Sequence, residues 1–107
     1  MAQFDDREKA QEAKFARDSE LRFKAEARRN RLLGLWAAEH MGLNEQNAKD
    51  YAAEVVAADF EEAGEEDVFR KISSDLKAKG ASVSDDMIRQ KMAELGVTAR
   101  EQVLAEG

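Results

Sequence analysis

The 107-residue sequence contains no cysteine and only one histidine, His40. Without cysteine, the chain cannot form a disulfide framework or a thiolate metal site. A lone histidine cannot pair with a second histidine at a zinc or catalytic site, so we expect His40 to be a helix-end residue whose charge complements the helix dipole. The sequence therefore predicts no metal site and no catalytic residues, and we expect a protein that is not an enzyme.

Proline is also absent, and the chain is rich in alanine and in long charged side chains. Both features favour helix, because proline is the strongest helix breaker and these residues are good helix formers. No segment alternates with the period of a strand. No apolar run approaches the ~20 residues that cross a bilayer. The N-terminus resembles no targeting peptide. We therefore expect a cytoplasmic protein without direct membrane insertion, and the composition predicts that it is all-α.

One segment, residues 21–41, has two apolar faces when it is read as a helix at about 100° per residue. A helix that is apolar on two sides must be covered on two sides, so we expect it to be the central helix of the fold. A glycine inside it, Gly34, indicates that the backbone of a neighbouring helix comes close. The first face carries Leu21, Ala25, Leu32, Leu35 and Trp36, and the opposite face carries Phe23, Ala27, Gly34, Ala37, Ala38 and Met41.

Glycines and capping residues divide the rest of the chain into three further helices. Gly42 is predicted to end the central helix and Asn44 to cap the second helix, over residues 45–63. The third helix is predicted over residues 66–79, between the stops Gly64 and Gly80. The core is expected to contain Leu32, Leu35, Trp36, Val55, Phe60, Phe69, Ile72, Met92 and Leu95.

The fourth helix is predicted to start at the cap Ser84 and to end near Gly96. Gly96 followed by Val97 has the pattern of a Schellman C-terminus. The stretch from Thr98 to Glu101 then resembles a capping box, so a separate short turn of helix is expected after it.

The first 18 residues contain little apolar material apart from Phe4 and Phe15. Such a segment is a marginal helix by itself, because short isolated helices seldom repay nucleation. It either continues into the central helix, over about 37 residues, or breaks near Asp18 and Ser19. The prediction is an all-α fold with a four-helix bundle-like domain at residues 19–107, a long or broken first helix and a mobile N-terminal arm at residues 1–18. The arm is expected to be disordered or a frayed helix when the protein is free.

Charge is unevenly distributed in this acidic chain, whose net charge is −6. Basic residues are dense between Arg22 and Arg31, and acidic residues are dense between Asp59 and Asp67. These blocks either face each other or water within the bundle, or dock a partner. Nucleic acid is not expected as the partner of an acidic chain with one tryptophan. The acidic block does not match a calcium loop, because Arg70 stands where the loop needs a bidentate glutamate.

Three segments resemble a known family: FDDREKAQEAKFA at residues 4–16, ELRFKAEARRNRLLGLWAAEHMGL at residues 20–43, and DFEEAGEEDVFRK at residues 59–71. Together they resemble the alphaproteobacterial zeta subunit, the inhibitor of F-type ATP synthase. The resemblance spans nearly the whole chain. It implies a four-helix bundle with a mobile inhibitory segment that enters a catalytic alpha/beta interface of the synthase head and blocks rotation during ATP hydrolysis.

On this resemblance, the inhibitory segment corresponds to residues 1 to about 19. Its candidate contacts with the head are Phe4, Asp5, Asp6, Arg7, Lys14, Phe15 and Arg17. The alternative for Phe4 and Phe15 is that they fold back on the bundle. The implied partners are the alpha and beta subunits, with a central-stalk contact left open, and the chain is expected to be a monomer when free. Its implied location is the cytoplasmic side of the inner membrane, where it associates peripherally through the head.

The resemblance also implies adenine-nucleotide binding to the bundle, with ATP or ADP as a regulatory ligand and no cofactor required. The basic candidates are Arg28, Arg29 and Arg31. Reversing the charges of Arg29 and Arg31 is expected to weaken this binding more than folding, because exposed charges contribute little to stability. The alternative function is a nucleotide-responsive helical adaptor without an inhibitory arm.

Overall fold

The computed structural model describes residues 19–61 and 65–106, which form four α-helices. They are α1 (Ser19–His40), α2 (Glu45–Glu61), α3 (Glu65–Ala78) and α4 (Asp85–Glu106). These two ranges contain no strand, and the predicted all-α class with four helices is confirmed. The predicted N-terminal arm and the predicted stop at Gly64 lie outside the described residues.

The turns after α1 and α3 have the predicted glycine geometry. Gly42 and Gly80 adopt positive φ angles of 74° and 71°, a region that L-residues with a Cβ rarely enter. In each turn the next amide, from Leu43 or Ala81, donates back to a helix carbonyl over 3.0 Å, as in a Schellman motif. The short turns therefore reverse the chain and place consecutive helices side by side.

The predicted N-caps of α2 and α4 are also confirmed. Asn44 accepts a hydrogen bond from the backbone N–H of Asn47 at its Oδ1, over 2.8 Å. Ser84 accepts one from the N–H of Met87 at its Oγ, over 3.2 Å. Each side chain satisfies a backbone donor that the first turn of a helix leaves without a carbonyl partner.

Helix α1 is the central element, as predicted. It packs mainly against α2 and α4, and α3 also contacts it. The approach of α2 is closest at Gly34, where an added Cβ would lie 2.7 Å from the Cα of Ala52. This geometry confirms the interpretation of Gly34 as a point of close backbone approach.

The two predicted faces of α1 are the edges of one broad buried arc. Between them lie Leu33, with 0% exposure, and Arg29, with 7%. Asn30, also with 0% exposure, lies on the second face beside Ala37. The sequence interpretation missed Arg29 and Asn30 because both are polar. On the two predicted faces of α1, Phe23 is 52% exposed, and six residues are only half-buried: Leu21, Ala27, Leu32, Leu35, Trp36 and Met41.

The main core combines residues from all four helices. The predicted Val55, Ile72 and Met92 are buried in it, whereas Phe69 and Leu95 pack against it only partly buried. The side chain of Phe60 is not among those that the structure describes. The largest fully buried apolar side chains are Leu33, Val55, Val68, Ile72, Leu76, Ile88 and Val103.

The predicted end of α4 at Gly96 is wrong, because the helix continues to Glu106. Beyond the glycine, Ala99 and Val103 are buried, and Val103 packs with Ala25 of α1. Burying a valine side chain contributes about 1.5–3 kcal/mol. A glycine inside a helix costs only about 1 kcal/mol relative to alanine. Tertiary packing therefore outweighs the local stop signal.

Candidate functional site: the arginines of α1 and the adjacent groove

The three predicted nucleotide-binding arginines lie beside three different helices. Arg28 donates from Nη2 to Glu106 of α4 over 2.9 Å. Arg29 donates from Nη1 to Glu65 of α3 over 2.9 Å. Arg31 is exposed and, together with residues of α2, lines a pocket of about 110 Å³. The three guanidinium groups therefore face different neighbours, and their role in nucleotide binding stays a prediction.

Arg29 is buried, so the expectation that it is an exposed charge is wrong. Its Nε and Nη2 both donate to Oδ1 of Asn30, over 3.1 and 3.0 Å. A buried charge is costly unless it is paired and hydrogen-bonded, and the amide and Glu65 supply these contacts. Among the described contacts, Nδ2 of the fully buried Asn30 has no hydrogen-bond partner. Reversing the charge of Arg29 would consequently disturb folding as well as any ligand.

Three carboxylates at the ends of helices have pKa values below their ordinary range. The hydrogen bond from Arg28 lowers the pKa of Glu106 and joins the end of α4 to α1. The hydrogen bond from Arg89 likewise lowers the pKa of Glu66, joining the start of α3 to α4. The hydroxyl of Ser73 lowers the pKa of Asp85, to which it donates over 2.7 Å.

These depressed pKa values predict a loss of stability in acid. A carboxyl whose pKa is lower in the folded state stabilises that state above its unfolded pKa, and the contribution is lost as the pH falls through the folded pKa. We expect the melting temperature to be level above about pH 5 and to fall below the ordinary carboxyl pKa values of about 4. Arg28→Gln, which removes the partner of Glu106, should make the decline shallower. A melting temperature unchanged between about pH 6 and pH 3 would contradict this linkage.

A groove of about 490 Å³ lies between α1 and α4, next to the start of α3. Three arginines line it: Arg22 and Arg29 from α1, and Arg100 from α4. Met92 and Val97 add apolar surface. The site therefore offers guanidinium donors beside an apolar wall, which suits a ligand that carries both a negative charge and an apolar group.

Sequence reasoning missed Arg22 and Arg100 as site residues. Arg100 lies beyond the glycine at which α4 was predicted to end, so no local pattern relates it to α1. Gly96 leaves space in the groove, because a Cβ there would be 3.8 Å from Cδ of Arg29. The nearest sequence signal is the period of α4, which places residues 92, 96 and 100 on one face once the helix is known to continue.

Two kinds of site are not found in the part of the chain that the structure describes. No group of three or more His, Asp or Glu residues there could hold a metal ion. No helix there is long and apolar enough to cross a membrane.

The fold and the groove define a class: a small helical bundle with a groove lined by both charged and apolar residues. Within this class, residues 1–102 match the family model of ATPase inhibitor subunit zeta, and the chain belongs to this family. A structure solved in solution by NMR is 49% identical to the chain, with a TM-score of 0.71. The match covers 81% of this chain and 99% of that one. A search of curated proteins found no match.

Proposed function

We propose that this chain inhibits ATP hydrolysis by F-type ATP synthase by inserting its N-terminal arm, residues 1–18, at a catalytic alpha/beta interface of the head. The family match carries the proposal, because the family is one of ATPase inhibitors and the match begins at residue 1. The arm contacts proposed from the sequence resemblance are Phe4, Asp5, Asp6, Arg7, Lys14, Phe15 and Arg17.

In this proposal the bundle and the arm have separate roles. The four helices share a buried core, and in this proposal the bundle that they form stays outside the interface. Ordering the arm in the interface costs roughly 1–2 kcal/mol per residue in backbone entropy. Burial of Phe4 and Phe15 against the head, together with charge-assisted hydrogen bonds, must outweigh that cost.

The partners in this proposal are the alpha and beta subunits that form the interface. The chain would act from the cytoplasmic side, where the head lies. One copy is sufficient for insertion, since the arm belongs to a single chain. ATP or ADP bound to the bundle is a secondary proposal for a regulatory ligand.

The experiment that tests the proposal adds the purified chain to the isolated ATPase head and follows ATP hydrolysis. The full chain is expected to inhibit, and the double variant Phe4→Ala, Phe15→Ala is expected to lose inhibition with an unchanged helical circular dichroism spectrum. The matched control is Phe23→Ala, which removes a phenylalanine that is 52% exposed on α1 and should leave inhibition intact. If the double variant inhibits like the full chain, the arm is not the inhibitory element, as the adaptor alternative requires.

A further inference from the structure

The groove between α1 and α4 starts beside the end of α1 from which the N-terminal arm leaves. Its lining residues Arg22 and Ala25 follow Ser19, the first residue of α1, by three and six positions. These positions are about 5 and 9 Å along the helix axis. An extended chain of 18 residues reaches up to roughly 60 Å, so the arm is long enough to turn back and follow the groove.

One wall of this groove is formed by two apolar side chains of α4. Met92 is only 5% exposed, whereas Val97 is 57% exposed. Isolated exposed apolar residues are ordinary, but this one borders a concave space of about 490 Å³ that also contains guanidinium groups. An occupant with one apolar side chain would bury this wall.

The cationic side of the groove includes a guanidinium that is held in place. Arg29 is buried and uses three of its five N–H donors in its described contacts with Asn30 and Glu65. Arg22 and Arg100 line the same space. A guanidinium whose orientation is already set loses little entropy when a carboxylate binds to it.

The first six residues of the chain have the matching chemistry. Phe4 is followed directly by Asp5 and Asp6, and residues 1–6 contain no lysine or arginine. This stretch therefore places one aromatic side chain directly beside two carboxylates. Residues 7–18 carry four basic and three acidic side chains, so the match is specific to the start of the chain.

We propose that the groove is the resting dock of the N-terminal arm. Phe4 packs on the wall formed by Met92 and Val97, and the carboxylates of Asp5 and Asp6 bind the guanidinium groups. Two acidic residues that also line the groove, Glu26 and Glu65, oppose these carboxylates. Docking is consequently weak and reversible.

Docking has a regulatory consequence, which rests on the proposed function. An arm that occupies the groove is not available to the synthase head, so the apparent affinity for the head falls in proportion to the undocked fraction. If the arm is docked between half and nine-tenths of the time, releasing it strengthens inhibition roughly two- to tenfold.

The test uses the full chain, which has no cysteine of its own, with the substitution Gln3→Cys and a nitroxide label attached there. In an ¹⁵N-labelled sample, the amides of Ala25, Val97 and Arg100 are expected to broaden more than that of Lys49, which borders a different pocket, beside α2. Adding Val97→Glu should remove the excess broadening, because it replaces apolar wall with a negative charge. Leu104→Glu, at another exposed apolar position on α4, is the matched control and should retain it.

Equal broadening of all four amides would overturn the proposal. A second result would also overturn it. If the amides broaden only when nitroxide-labelled chains are mixed with separate ¹⁵N-enriched chains, the occupant of the groove is a second copy and not the arm of the same chain. In a third result, the nitroxide does not broaden the groove amides, but adding ATP changes their chemical shifts. The groove then binds an anionic ligand and not the arm.

A separate assay of ATP hydrolysis measures whether docking weakens inhibition. Val97→Glu is expected to inhibit the ATPase head roughly two- to tenfold more strongly than the unsubstituted chain does. Leu104→Glu is expected to inhibit as strongly as the unsubstituted chain. Unchanged inhibition by Val97→Glu would overturn the regulatory role. Label broadening does not depend on the head, so a failure of the proposed function would leave the docking result standing.

Discussion

Replacing Gly34 with alanine is expected to lower the melting temperature of the chain by roughly 10 °C. The added Cβ would lie 2.7 Å from the Cα of Ala52 and 3.2 Å from Cγ2 of Val55. The first obstacle is backbone, so α1 and α2 must move apart. Overpacking of this kind costs about 1–3 kcal/mol, and the better helix propensity of alanine returns at most ~1 kcal/mol. Because the obstacle is a backbone atom, we expect a cost at the upper end of this range and a net loss of about 2 kcal/mol in the free energy of unfolding.

Gly96→Ala is the matched control, because it makes the same chemical change inside another helix. The added Cβ would meet its nearest neighbour, Cδ of Arg29, at 3.8 Å, an ordinary contact. This variant should therefore gain up to ~1 kcal/mol from helix propensity. Thermal unfolding of the two variants should shift in opposite directions. A shift of the same sign and size would show that the contact between α1 and α2 does not depend on the glycine.

Removing residues 1–18 is expected to abolish inhibition of the ATPase head while the bundle stays folded. The described core is formed by residues of α1 to α4, with the fully buried Leu33, Ile72 and Ile88 among its members. A weakly docked arm adds little to that core, so the free energy of unfolding should fall by no more than ~1 kcal/mol. Circular dichroism melting and ATP hydrolysis, measured on the same preparation, separate stability from function.

Two outcomes would contradict this prediction in different ways. Full inhibition by the chain that starts at Ser19 would move the inhibitory surface onto the bundle. A loss of stability well above 1 kcal/mol would mean that the arm is part of the folded domain. The boundary at residue 18 would then be wrong.

The helix ends were predictable from sequence where their chemistry is local. Gly42 and Gly80 adopt the positive φ that favours glycine, and Asn44 and Ser84 accept hydrogen bonds from residues three positions ahead. Such signals involve only a few consecutive residues. Gly96 shows their limit, because its C-terminal pattern is as good as theirs but the packing of Val103 against α1 continues the helix.

The site was only partly predictable. Composition identified the basic block on α1. It did not show which of these arginines are buried when the helices pack, or which helix each arginine contacts. The buried Arg29 pairs with Glu65 of α3, 36 positions along the chain, and such a pairing leaves no periodic signal. The predicted arm residues, including Phe4 and Phe15, lie outside the described part of the chain, so their roles stay predictions.

The sequence by itself determined the helical class, the central position of α1 and most helix boundaries. It also determined membership of the zeta-subunit family, which the RRNRLLGLWAAE block suggested. These properties depend on propensity, on caps and on the order of residues along the chain. Only the tertiary structure decided that the buried arc of α1 holds Arg29 and Asn30, and that Arg22 and Arg100 line one groove. The physical reason is that burial and pairing between distant residues arise when helices pack, and packing depends on all their side chains together.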